Sequence, residues 1–212
     1  DWSKTAKQFT VAKRNRKTAL ETFIRNKVNL RNGPEATLLG SAPYIGKTLA
    51  EAAASKNKPF EKFVVEDLGP QGSSAAYFVM NKELQETLIQ DDLIGVCSDG
   101  SKTGFHPRGH GTFAKVIENY VVKDSILSLE KAVQKMTSYA ADILQLKDRG
   151  VLQVGKKADI LIFDPANVKA TATYVNPHQL AKGFDLVLVN GKVTRKNQQL
   201  RTQLNGKVLL PN

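Results

Sequence analysis

Apolar positions in residues 16–30, RKTALETFIRNKVNL, recur at helical spacing: Ala19, Leu20, Phe23, Ile24 and Val28 share a face with Lys27. The spacing predicts an amphipathic helix, and Asn32-Gly33-Pro34 supplies its stop. Ala36 to Gly40 is a short apolar strand candidate. Thr48 to Ser55 and Pro59 to Leu68 read as two further helices, the second broken by Gly69-Pro70. Ala75 to Met80, AAYFVM, is a continuous apolar run of strand length, the pattern of a strand covered on both faces. Asn81 then offers a cap for a helix over KELQETLIQ. Leu93 to Cys97, LIGVC, repeats the buried-strand pattern. Strand, helix and strand in succession predict a parallel α/β layout.

Helical patterns resume at Thr112 to Val122 and at Leu129 to Met136, the latter with Ser128 placed to cap it, and Ala140 to Leu146 reads as one more short helix. Near Lys147 the character changes. Ala158 to Phe163 is an apolar strand stopped by Asp164-Pro165. Asp185 to Asn197 reads as a hairpin around Asn190-Gly191, a dipeptide that tolerates positive φ at both turn positions. Leu204 to Leu210 adds Asn205-Gly206 and another apolar run. The chain is therefore expected to divide into an α/β part over 1–146 and a small β module over 147–212.

Composition alters this picture little. A hydrophobic fraction of 41% and a charged fraction of 24% are ordinary for a folded domain. No apolar run approaches the roughly 20 residues a membrane-spanning helix needs, so no membrane association is expected. The sequence starts at Asp1 without an initiator Met or a signal-peptide pattern, as expected of a processed or truncated chain. A single cysteine, Cys97, has no internal disulfide partner, which leaves the compartment open between bacterial cytoplasm and periplasm. The net charge of +11 is concentrated at the ends, +7 over residues 1–32 and +5 over 192–212. The stretch Lys13-Arg14-Asn15-Arg16-Lys17 suits a polyanion or nucleic acid. A solvated helix face explains it more simply, because no zinc-finger spacing, ribonucleoprotein motif or heptad zipper accompanies it.

Chemistry concentrates after LIGVC, in the loop CSDGSKTGFHPRGHGTF over residues 97–113. Asp99 would stand at the carboxyl end of a strand, where α/β sites collect, and Gly100 allows a sharp turn beside it. An aspartate there suits metal binding or proton transfer, while a turn aspartate bonded to its own backbone is the structural alternative. His106 and His110 are four apart, but Pro107 and two glycines disfavour a helical metal pair. Arg108 presents a planar fork that matches a carboxylate, with a surface ion pair as the plainer option.

Taken together, GVCSDG, HPRGHGTFAKVIENYV, GKKADILIFDP, YVNPHQLAKGFDLVLVNGKV and the upstream NGPEATLLG resemble the C-terminal half of the D-aminoacylases. These are N-acyl-D-amino-acid deacylases of the metal-dependent amidohydrolase superfamily. The resemblance runs from about residue 16 to the end of the chain. It implies the C-terminal part of a TIM-like (β/α) barrel followed by the late strands of a small β-sandwich. It implies that Asp99 accepts a proton from the attacking water and hands it to the leaving amine, and that Asp99 also faces the metal. Arg108 would bind the substrate's α-carboxylate, with His106, Ser98 and Gly100 shaping that part of the site. Tyr174 and His178 fall within the sandwich region, where packing is the expected role.

One departure from the family pattern is large. Such enzymes assemble zinc from an H-x-H pair, a Cys, Glu or modified Lys, and two later histidines. This sequence holds His106, His110 and His178 and no H-x-H, and Cys97 does not match the family's ligand position. The resemblance thus implies an incomplete enzyme, with zinc in the intact molecule and none held by this chain alone. The expected partners are an N-acyl-D-amino acid and a companion N-terminal half, or failing that a second copy of the chain, and the chain alone is expected to be inactive. Related alternatives are a dipeptidase-like or dihydropyrimidinase-like amidohydrolase, separable by whether Arg108 meets a free carboxylate.

Overall fold

A computed structural model describes residues 6–101 and 104–209. The chain forms two compact units, Asp1–Asn81 and Lys82–Asn212. The fold is α/β, but among the described residues both sheets are antiparallel rather than parallel as the strand, helix, strand succession predicts.

In the first unit, helices α1 (Ala6–Asn15) and α2 (Lys17–Asn29) are followed by the turn in which Asn32 and Gly33 take φ of 65° and 85°. The predicted helix over 16–30 and its stop are both present. Strand β1 (Thr37–Leu39) leads to α3 (Leu49–Ala54), whose cap is reciprocal: Glu51 N–H donates to the Thr48 hydroxyl, and Thr48 N–H donates to the Glu51 carboxylate at 2.7 Å. Helix α4 (Phe60–Phe63) runs into a π-helical turn, Val64–Leu68. Leu39, Leu49, Ala52, Ala53 and Phe63 pack into one core cluster, and Phe9, Leu20, Ile24 and Val65 into another. The Glu66 carboxylate collects two ammonium groups, Lys17 at 2.5 Å and Lys58 at 3.0 Å.

Strand β2 (Ala75–Tyr77) pairs antiparallel with β1, Leu38 opposite Ala76. The expected two-sided burial of AAYFVM does not hold, for Tyr77 to Met80 are exposed, Met80 by 70%. A continuous apolar run predicts burial only when neighbouring strands exist on each side, and β2 pairs only with β1 among the described residues.

The second unit opens with α5 (Lys82–Gln90), after which LIGVC forms no strand among the described residues. Helices α7 (Leu129–Met136), capped by the Ser128 hydroxyl, and α8 (Ser138–Ile143) hold this segment instead. The Lys135 ammonium, 1% exposed, donates to the carbonyls of Asp91 and Ile94, and the Tyr139 hydroxyl donates to the Leu93 carbonyl. Side chains thus satisfy the backbone acceptors that sheet pairing was expected to take.

The C-terminal module is a four-stranded antiparallel sheet in the order β3-β4-β5-β6, formed by Ile160–Phe163, Phe184–Val189, Lys192–Lys196 and Gln199–Leu200. The hairpin turn at Asn190 and Gly191 has φ of 50° and 76°, as the dipeptide predicts. A second turn at Asn197 and Gln198, with φ of 48° and 66°, launches β6 and was not anticipated. The apolar run from Leu204 was counted with the β module. Among its described residues it carries no regular structure, with Leu204 96% exposed; Leu210 lies outside the described residues.

Candidate active site

The chemistry-bearing loop leaves the Lys135–Tyr139 anchor and turns tightly at 98–100. The Ser98 hydroxyl accepts the Gly100 N–H at 3.2 Å, and Asp99 takes a left-handed φ of 44°. Gly100 is required by space, because a Cβ there would lie 2.4 Å from the Gly109 Cα. This close approach brings the turn against the start of α6 (Arg108–Lys115). There the Asp99 carboxylate meets the Arg108 guanidinium at 2.8 Å, with the side chains 79% and 46% exposed. Helix α6 begins four residues earlier than the sequence pattern predicted, so His110 is helical and His106 is not.

His106 precedes Pro107, and its Nδ1 accepts the Arg108 N–H at 3.1 Å. Pro107 has no side chain able to cap α6, so the imidazole satisfies one of the unpaired N–H groups of the first turn. Burial, followed by the positive charges of Arg108 and Lys115, holds the His106 pKa below its ordinary value, against an opposing effect of Asp99. The ring stands edge-on to Tyr174, centroids 5.1 Å apart. Burial raises the pKa of the Tyr174 phenol, opposed by the charge of Arg108.

His178 reaches the same loop. Its Nε2 lies 3.1 Å from the Gly104 carbonyl, and because a carbonyl only accepts, Nε2 carries the proton. Its ring contacts Phe105 at 5.3 Å and His110 at 5.4 Å between centroids. All three histidines of the sequence therefore gather around the HPR loop, together with Tyr174. Packing within the sheet module was the expectation for Tyr174 and His178; the structure places both on the loop. Their YVNPHQ segment interrupts the apolar alternation of the module with a turn dipeptide, Asn176-Pro177, the one signal in the sequence that these residues leave the sheet.

The arrangement does not fit a metal centre. Among the described residues no three His, Cys, Asp or Glu side chains converge on a point. His106 Nδ1 and His178 Nε2 are engaged, His110 Nδ1 is buried without a partner among the described residues, and Cys97 is exposed as a free thiol. A catalytic zinc requires about three protein ligands and an open position. What these residues can do is bind an anion at Arg108 and move a proton at Asp99.

The chain belongs to the amidohydrolase family, whose model matches residues 52–195. It is 36% identical over 180 residues to the N-acyl-D-aspartate deacylase of Alcaligenes xylosoxydans xylosoxydans, a match covering 84% of this chain and 34% of that enzyme. It is 38% identical over 167 residues to the D-aminoacylase of the same organism, covering 77% of this chain and 34% of the relative. Among solved structures it resembles the N-acyl-D-glutamate deacylase of Bordetella bronchiseptica complexed with zinc and a phosphonate inhibitor, with a TM-score of 0.67 and 33% identity over 75% of this chain and 34% of that one. The chain thus spans about a third of the length of the curated relatives it matches.

Proposed function

We propose that these residues supply the proton carrier and the anion clamp of a metal-dependent deacylase of N-acyl-D-amino acids. In this reading residues 1–146 belong to the C-terminal part of a (β/α) barrel and 147–212 to the late strands of a β-sandwich. The metal, zinc by analogy with the zinc-bound relative, would be held by ligands outside these 212 residues. Such a chain is inactive without the part that carries them.

The observation that carries this reading is the contact between Asp99 and Arg108 at 2.8 Å. In an N-acyl amino acid the carboxylate carbon and the amide nitrogen are two bonds apart. One substrate can therefore place its carboxylate on the Arg108 fork while its scissile nitrogen faces Asp99. Water attacks the acyl carbonyl, Asp99 takes the proton, and the carboxyl then delivers it to the nitrogen as the C–N bond breaks. The products are a carboxylate and a free D-amino acid.

The test is kinetic, on the enzyme assembled from these residues and its metal-bearing remainder. Asp99→Asn is expected to lower kcat by about 10² to 10⁴ on an N-acyl-D-amino acid. Arg108→Met is expected to raise KM steeply for that substrate and little for its carboxamide analogue. Full turnover by Asp99→Asn, or equal effects of Arg108→Met on acid and carboxamide, overturns the reading.

A further inference from the structure

We propose that Tyr174 and His178 are positioning residues for Arg108, acting through His106 and Gly104 to fix where the guanidinium leaves α6. The inference deepens the proposed function and rests on Arg108 being the clamp. Four contacts form a closed circuit around α6. Tyr174 sets the plane of the His106 ring edge-on, at 78° between planes. His106 Nδ1 holds the Arg108 N–H, the first of the helix. Past the far end of α6, Glu118 in the π-helical turn Val116–Lys123 accepts the Ala170 N–H at 2.8 Å and pairs with Lys169 at 3.2 Å. Residues 170–174 then lead back to Tyr174, so both ends of the helix are tied to one segment.

His178 closes the same segment onto the loop from the other side, by donating to the Gly104 carbonyl and packing between Phe105 and His110. The Asn176 N–H donates to the Thr173 hydroxyl at 3.0 Å and the Thr173 N–H to the Asn176 carbonyl at 3.1 Å. That turn presents Tyr174 and His178 together. The lowered pKa of His106 agrees with a neutral ring whose Nδ1 is free to accept. Rotating this ring would release the Arg108 N–H and let the first turn of α6 fray, which misdirects a side chain that must meet a carboxylate in two-point geometry.

Two readouts test this on the assembled enzyme. In the first, Tyr174→Ala and His178→Ala are expected to raise KM for an N-acyl-D-amino acid about tenfold, with kcat nearly unchanged, whereas Tyr174→Phe, which keeps the ring contact, stays close to the parent. In the second, the ring ¹⁵N shifts of His106 report a single Nε2–H tautomer in the parent and an averaged pair of tautomers in Tyr174→Ala. Should Tyr174→Ala not fold, Tyr174→Leu, which keeps buried volume but no aromatic edge, carries the same comparison. Unchanged KM with unchanged His106 shifts overturns the positioning role, as does Tyr174→Phe behaving like Tyr174→Ala. If His106 loosens as expected while Arg108→Met fails to separate acid from carboxamide, the substrate reading falls and the positioning circuit stands.

Discussion

Asp99 combines a left-handed backbone with an exposed carboxylate, and its short polar side chain makes that backbone less costly than it is for most residues. The turn and the Gly100 approach together bring the carboxylate to Arg108, so the two opposite charges neutralise each other. Glu66 shows how differently a structural carboxylate behaves. Hydrogen bonds from Lys17 and then Lys58 hold its pKa at about 2, below the ordinary 4.5. A depressed carboxylate contributes stability above its ordinary pKa and loses it as pH falls through 4.5 toward 2. Glu66→Gln is therefore expected to melt below the parent at neutral pH and level with it near pH 2, within the small range of a partly exposed pair. An undiminished gap in thermal melts at the acidic end would remove Glu66 from the account.

Caps and hairpins are where local sequence decides local structure. Thr48→Ala removes the hydroxyl half of the capping box on α3, leaving the backbone half to Glu51, and is expected to cost about 1 kcal/mol, read from the denaturation midpoint, with Thr48→Ser close to the parent. Loss of less than a few tenths would show that tertiary packing alone holds that helix. Ser128, Asn190-Gly191 and Asn32-Gly33 were legible because each acts within four residues of itself. LIGVC and AAYFVM were not: an apolar run announces burial but does not name the partner, and here Lys135 and Tyr139 grip the first run from about 40 residues downstream. The Asn197-Gln198 turn was missed because Gln rarely takes positive φ. In the candidate site, Asp99 and Arg108 were singled out from their motifs, and the structure brings the two into contact. Tyr174 and His178 were assigned to packing because their contacts cross about 70 residues of sequence, beyond the reach of any local pattern. Helix α6 starts early because His106, two residues before Arg108, holds its first turn.

Many large apolar side chains stand exposed. Leu93, Leu152 and Val154 are each more than 80% exposed, and Phe105 and Phe113 flank the site half-exposed. On the function proposed above, purifying the chain by itself is expected to give self-association, seen as a rising mass with concentration in light scattering and relieved by a companion part that carries the metal ligands. A sharp monomer at high concentration would count against a missing companion. The +11 charge does not protect against this, since it resides largely in the first 32 and last 21 residues. No described helix is long and apolar enough to cross a membrane. Strand β3 forms an edge of the C-terminal sheet. It stands at one end of the sheet order among the described residues, with Leu161 and Ile162 each 52% exposed. Another strand can add along such an edge, while its four-residue length and the register shift between Ile162 and Phe163 limit how far the addition runs.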